Sequence, residues 1–284
     1  MLRALRGELF KSWKRPAVWV CIVGLVAVAV TIGYAIPWIF ETYPPAGSTR
    51  GLPAGTTLAD FKVALYPINF VRQTLQQWNL LGGVFALILG VLAQGSEYGW
   101  GTIKTLYTQR DGRLAMLYGK AVALAIVILV MTIGLFAVDA IASTGAALID
   151  GTSTTFPAAT VIIKGVGAMF LIFEFWAVFG FVLATLFRQS AMAIGLGLAY
   201  ALVIEGILLG LASSFAGWVK NIQQWFPVAN TGYLAESFGT PRLRGIPPTT
   251  PFADATHAIA VLLAYVVFFI AISAWFLRRR DVTN

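Results

Sequence analysis

The sequence predicts an all-α membrane protein of six transmembrane helices. Three observations carry that expectation: long apolar runs almost free of charge, too few charged residues to clothe a soluble domain, and a clustering of Lys and Arg on alternate connections. Of 284 residues, 58% are hydrophobic and 11% charged, against roughly 25% charged in soluble domains. Mean hydropathy is +0.80. A hydrocarbon core about 30 Å thick needs roughly 20 apolar residues per helical span, and the chain supplies such runs separated by polar stretches. Residues 1–284 are expected to form a single transmembrane domain.

Residues 1–15 repeat Leu2, Leu5, Leu9 and Trp13 at helical spacing, with Arg3, Arg6 and Lys14 mostly elsewhere around the helix. That pattern predicts an interfacial helix, apolar face in the acyl boundary and cations toward anionic headgroups. Pro16 suits the first turn of the span that follows, roughly 17–39, because its missing N–H costs little there. This run is longer than the roughly 7–15 residues of a signal-peptide core and ends on Trp38-Ile39-Phe40, so it is expected to be retained. A Pro/Gly/Thr-rich stretch continues to about Thr57, and Asp60 to Gln77 is expected to form a second interfacial helix. The second span is placed at about 78–95, where Gly82, Gly83 and Gly90 permit close helix approach. A polar, basic connection from Glu97 to Arg113 precedes the third span, about 115–143. The fourth and fifth spans, about 161–187 and 190–212, are joined by a tight turn at Arg188-Gln189. An extracellular segment, 213–256, leads to the last span, about 257–277, which ends on Arg278-Arg279-Arg280.

Of the 20 Lys and Arg residues, 13 fall on the N-terminus, the 96–120 segment, Arg188 and the C-terminal triplet. The other seven are spread over much longer connections. The dense side is expected to be cytoplasmic, with both termini inside. That bias also accounts for the net charge of +8, so no nucleic-acid partner is invoked. The single histidine, His257, and single cysteine, Cys21, exclude a His/Cys zinc site and an intrachain disulfide. His257 is expected to be interfacial rather than catalytic. No nucleophile–base pair or paired carboxylates stand out, and no enzyme activity is expected.

The most informative stretch is Glu97-Tyr98-Gly99-Trp100-Gly101-Thr102-Ile103-Lys104, continuing through Arg110 to Arg113 and Gly119-Lys120. Physically it reads as a short amphipathic helix pinned to the membrane by two spans, with Thr102 placed to cap it. A plain basic loop held inside by its charge explains the same residues. The pattern E-x-x-x-G-T-x-K after a second span, then an Arg, then G-K opening the third, resembles the type-2 exporter-permease family of ATP-binding-cassette (ABC) transporters. Glu8-Leu9-Phe10-Lys11, Trp225-Phe226-Pro227-Val228-Ala229-Asn230 and the six-span layout are also similar to it. The resemblance implies that the loop is a coupling helix resting on a separate ABC ATPase, with Glu97, Gly101, Thr102, Lys104, Arg110 and Arg113 at or beside the contact. It further implies two ATPase copies, a second permease copy or a paralogue, outer re-entrant helices, and a bacterial cell membrane. No Walker A sequence is present, so ATP and Mg would bind in the partner; no cofactor is expected in this chain.

Glu174 near the middle of the fourth span, Glu205 in the outer half of the fifth and Asp139 toward the outer end of the third are the intramembrane acids. Each is either part of a substrate or proton path or a paired carboxyl holding helices together, with Lys164 a candidate partner for Asp139. Glu174 and Glu205 are the candidate path residues, Glu205 because span five borders the path in the family. Gly206 and Gly210 mark either ordinary helix packing or a dimer seam. A proton-coupled secondary transporter using Glu174 or Glu205 is the alternative function. Trp218, Ile222, Trp225 and Phe226 are spaced to dip one helical face into the outer leaflet.

Overall fold

The structure is a computed structural model that describes residues 2–43, 62–99, 112–209, 217–239 and 254–279. All regular structure among them is helical. Helix α1 (Leu2–Lys14) precedes a broken first span made of α2 (Pro16–Val28), a π-helical segment (Ala29–Ala35) and α3 (Ile36–Thr42). Then come α4 (Phe70–Gly99), α5 (Arg113–Ile149) and α6 (Ala159–Phe187). Helix α7 (Ser190–Ala199) continues as a second π-helical segment (Tyr200–Leu209), and α8 (Gly217–Gln223), α9 (Pro227–Glu236) and α10 (Ala255–Arg279) complete the order.

Among the described residues, five helical stretches are long and apolar enough to cross a membrane: Pro16–Thr42, Pro67–Glu97, Leu114–Ile149, Ala159–Phe187 and Ala255–Arg279. The chain is therefore an all-α, multi-pass membrane protein. The segment expected to be the fifth of six spans contains a shorter apolar helix, Ser190–Glu205, and is described as far as Leu209, turning from α- to π-helix at Tyr200. The 36-residue third stretch is about 54 Å long at 1.5 Å per residue, well beyond a core of about 30 Å. It runs past the expected end at residue 143 to Ile149 and stops in a Schellman turn. Gly151, at φ 63°, lets its own N–H reach the Leu148 carbonyl and that of Thr152 reach Ala147.

The break in the first span has a local cause. Pro37 has no N–H, so the carbonyls one turn before it lose their donor. The chain widens into π-helix, with the Ile36 N–H bonding Thr31, five residues back. The amide of Gln77 on α4 supplies the missing donor to the Ile32 carbonyl, at 3.1 Å.

The centre of the bundle is the α4–α6 seam. A Cβ at Gly90 would run into the Ala177 carbonyl, and one at Gly180 into the Leu87 carbonyl. Gly82 and Gly83 likewise make room for the rings of Phe173 and Trp176. The close approach expected at these α4 glycines is present, and without water between helices such packing is what small residues provide. An aromatic group of Phe175, Phe179, Tyr265 and Phe269 joins α6 to α10.

Two expected elements differ. Residues 60–77 were expected to lie in the interface. The described part forms short 3-10 turns, Val63–Leu65 and Pro67–Asn69, and then enters α4. Phe70, Val71, Thr74, Leu75 and Trp78 fall on one inward face, and all are buried. In α1, the face turned toward the protein is Ala4 and Glu8, not the leucine stripe. Ala4 fits against Gly119 of α5, where a leucine would be too large. Phe10 and Trp13 are left uncovered, as an interfacial helix requires.

Candidate functional site: a charged latch and three buried acids

At the N-terminal end of the bundle, four charges interlock. Lys11 Nζ donates to Glu8 Oε1 at 2.8 Å and to Glu97 Oε1 at 3.2 Å. Lys120 Nζ bonds Glu97 Oε2 and also Gln94 Oε1, the latter at 3.1 Å. Glu8, Glu97 and Lys120 are buried, while Lys11 is partly exposed. Burial opposes the charged form of Lys11, but its bonds to Glu8 and Glu97 outweigh this and raise its pKa. The latch thus ties α1 to the last turn of α4 and the first turns of α5. Arg15 adds a bond from Nη1 to the Leu92 carbonyl at 3.2 Å.

This places the expected coupling residues unequally. Glu97 points inward and is consumed by two lysines. Arg113 opens α5. Gly101, Thr102, Lys104 and Arg110 lie outside the described residues. Lys120, read in the sequence only as part of a G-K pair and a cation count, is Glu97's partner. The spacing Glu8-x-x-Lys11 was the available signal, since residues three apart share a helix face.

The intramembrane acids differ from one another in their surroundings. Glu205 lies in the second π-helical segment, buried. Its Oε2 accepts from Tyr200 Oη at 2.8 Å and its Oε1 from the Ala229 N–H at 2.6 Å. Ala229 is the third residue of α9, so Glu205 caps that helix from another element, meeting its positive end. Pro227 opens α9 with φ already suitable, and Asn230 closes the preceding turn on the carbonyls of Gln224 and Phe226. The Trp225–Asn230 motif is a helix start docked on a buried acid.

Glu174, in the middle of α6, is buried with Oε2 lacking a hydrogen-bond partner. Asp139, on α5, is fully buried and accepts from Thr74 Oγ1 at 2.6 Å. Lys164, a candidate partner for it in the sequence, is exposed early in α6, and no salt bridge joins the two. Gly206 sits in the π-helical segment, and Gly210 lies outside the described residues.

At the opposite end, Asp150 collects Lys62 Nζ at 2.6 Å, Tyr66 Oη at 3.0 Å and Trp38 Nε1 at 3.2 Å. Burial works against its charge, but these three donors outweigh it and hold the carboxyl below the usual range. Nothing in the sequence pairs these residues, which lie 84 to 112 positions from Asp150. On the same end, His257 Nε2 lies 3.0 Å from the Gln224 carbonyl and its ring meets Trp225 edge-on. His257 fastens α10 to the turn before α9. Of the four residues expected to form the apolar face of that segment, Trp218, Ile222 and Trp225 are exposed and Phe226 is half-buried.

No group of three or more His, Cys, Asp or Glu able to hold a metal occurs among the described residues. Fold and sites together define a multi-pass helical membrane protein with internal polar fastenings. The chain belongs to a family described as a protein of unknown function (DUF2705), which matches residues 64–283. It is similar to the uncharacterized protein YhcI of Bacillus subtilis (strain 168), 22% identical over 225 residues. The alignment covers 73% of this chain and 66% of the relative, a little under two thirds of the relative's length.

Proposed function

We propose that this chain is the membrane-spanning permease subunit of an ABC exporter, moving substrate with ATP hydrolysed by a separate subunit. The observation that carries the reading is the latch. The two helices flanking residues 100–112 are bound through Glu97 and Lys120 to each other and through Lys11 to α1. A partner pressing on that connection would move α1, α4 and α5 as one unit, which is what a coupling loop must do. Glu97 serves here by anchoring the loop's root, leaving Lys104, Arg110 and Arg113 to meet the ATPase. The placement of this end in the cytoplasm, with both termini inside, rests on its 13 Lys and Arg residues. A bacterial cell membrane and a two-fold assembly, with a second copy or a paralogue, belong to the same reading.

The test is reconstitution with an ABC ATPase, sought first in the reading frames that neighbour this one. Lys104→Glu and Arg113→Glu should weaken co-elution and uncouple ATP hydrolysis from flux, with the permease still folded. Unchanged assembly and transport in both variants rejects the coupling assignment. The unpartnered oxygen of Glu174 favours one second reading, a proton-coupled secondary transporter. That reading requires gradient-driven flux in liposomes holding this chain alone, abolished by Glu174→Gln. Glu205 is less suited to it, because both its oxygens already hold α9 in place.

A further inference from the structure

Where α1 turns into the first span, α1, α2, α4 and α5 leave a cleft between them. Its polar end is lined by Glu8, Ser12 and Arg15 of α1 and by Lys120 of α5. The rest of the wall is apolar, from Val18 of α2 across Leu89 of α4 to Val127 of α5. Two tryptophans fix the elbow above it. Trp19 Nε1 donates to the Trp13 carbonyl at 2.9 Å, and the rings meet edge-on with centroids 4.8 Å apart. Both are exposed, and exposed tryptophans at the end of a span belong at headgroup level. Along α5 the lining runs from Lys120 to Val127, about 10 Å toward the bilayer centre at 1.5 Å per residue. The cleft is therefore polar at headgroup depth and apolar where acyl chains lie.

Its shape limits the occupant. Leu89 and Leu124 are buried, whereas Val18 and Val127 are half-buried, so the floor is closed and the rim opens outward between α2 and α5. The cleft has about 390 Å³ of empty space counting that open side, of which only about 20 Å³ is wide enough to take the centre of a water molecule. A helix or a folded segment does not fit. A single acyl chain, lying in from the open side, does.

The polar end supplies donors. Ser12 is half-buried, and its hydroxyl bonds nothing among the described residues. An ammonium carries three N–H donors; Lys120 places two on Glu97 and Gln94, which leaves one. Arg15 reaches the Leu92 carbonyl, a neutral acceptor, through Nη1. Glu8, the acid on the lining, is engaged by Lys11. Around this end four cations, Lys11, Lys14, Arg15 and Lys120, stand against two acids, Glu8 and Glu97, which leaves +2. A group that is anionic and accepts several hydrogen bonds completes such an end, and a phosphate does both.

We propose that the cleft binds one anionic phospholipid, with its phosphate on Ser12, Arg15 and Lys120 and one acyl chain along Val18, Leu89 and Val127. Because Glu8 and Lys120 belong to both the cleft and the latch, the bound lipid braces the junction of α1, α4 and α5. The site stands whether or not the exporter reading holds.

The test is native mass spectrometry of the full chain in mild detergent, titrated with dioleoyl phosphatidylglycerol or dioleoyl phosphatidylcholine. One phosphatidylglycerol should stay bound when the detergent is stripped, roughly fivefold more tightly than phosphatidylcholine, whose choline cation meets the positive end. Ser12→Ala and Arg15→Gln should each weaken phosphatidylglycerol roughly tenfold, the worth of one hydrogen bond to a charged group. Val18→Phe fills the apolar lane, leaves every charge in place and should also weaken it. Inorganic phosphate at the same concentration should not displace the lipid. Equal retention of the two lipids, or a random ladder of adducts with no favoured first one, would overturn the site. Full affinity in Ser12→Ala, which removes no bond from the folded chain, would overturn the headgroup contacts. Displacement by inorganic phosphate, or full affinity in Val18→Phe, would overturn the acyl chain's place in the cleft.

Discussion

Replacing Lys120 by methionine isolates the latch, because methionine keeps most of the aliphatic volume and removes only the ammonium. The side chains of Lys120 and Glu97 are 4% and 3% exposed. Breaking a buried pair by removing one partner costs about 3–5 kcal/mol, since the other charge is stranded. Glu97 keeps Lys11 at 3.2 Å, and that lysine is 35% exposed, which argues for the lower end, about 3 kcal/mol. In a chain of this size each kcal/mol moves the melting temperature by about 2–4 °C, so Lys120→Met should melt about 6–12 °C lower. The double variant Glu97→Gln, Lys120→Met removes both charges and leaves Glu8 with Lys11. It should recover about 1–3 kcal/mol relative to the sum of the two single changes. Helical circular dichroism in mild detergent reads both quantities. Raising the salt should change little, because buried pairs are weakly screened. A Lys120→Met protein as stable as the wild type, or strict additivity in the cycle, refutes the reasoning.

Three further outcomes are expected. Gly180→Ala drives a methyl into the Leu87 carbonyl across the α4–α6 seam and should cost about 1–3 kcal/mol or more, read as a lower melting temperature. Glu205→Ala removes the cap on α9 and should cost about 0.5–2 kcal/mol, with faster proteolysis around Trp225; Glu205→Gln, which still accepts from Ala229, should lose less. The Asp150 knot makes stability pH-dependent in a definite direction. Its folded pKa lies below the model-compound value of 3.8, so its contribution is complete above that value and is lost as the pH falls through the lower, folded one. Melting temperatures measured into acid should fall over that range in the wild type and less steeply in Asp150→Asn.

Much of the fold was legible because a bilayer imposes one length and one composition on every crossing element. The fourth and last spans were placed within two residues, since apolar runs there end on Arg188 and on Arg278–Arg280. The exceptions arose where hydropathy and helix are not the same quantity. The start of α4 mixes Arg72, Gln73, Gln76 and Gln77 with apolar residues, so its mean polarity suggested an interface. Its one-sided periodicity, Phe70, Val71, Thr74, Leu75, Trp78, carried the better information. The segment expected as the fifth span passes from α-helix to π-helix at Tyr200, a change of backbone that composition does not register.

The sites were legible as residues but not as partnerships. Glu174, Glu205 and Asp139 stood out because an acid in an apolar run is expensive wherever its partner lies, and Glu97 stood out as the first residue of the loop motif after the second span. The partners were hidden by sequence distance: Thr74 is 65 positions from Asp139, and Ala229 offers Glu205 a backbone N–H that no side-chain pattern encodes. Lys164 does not pair with Asp139. It is exposed on α6 while Asp139 is fully buried on α5, and position along a helix says nothing about which side of it a residue occupies. One clue did lie in the sequence. Proline at position 37, inside an otherwise unbroken apolar run, obliges the carbonyls before it to find another donor. Gln77 is that donor, and the same distortion turns Tyr34 toward Asp139. A proline that composition treats as a blemish in the first span thus shapes the polar contact between that span and α4.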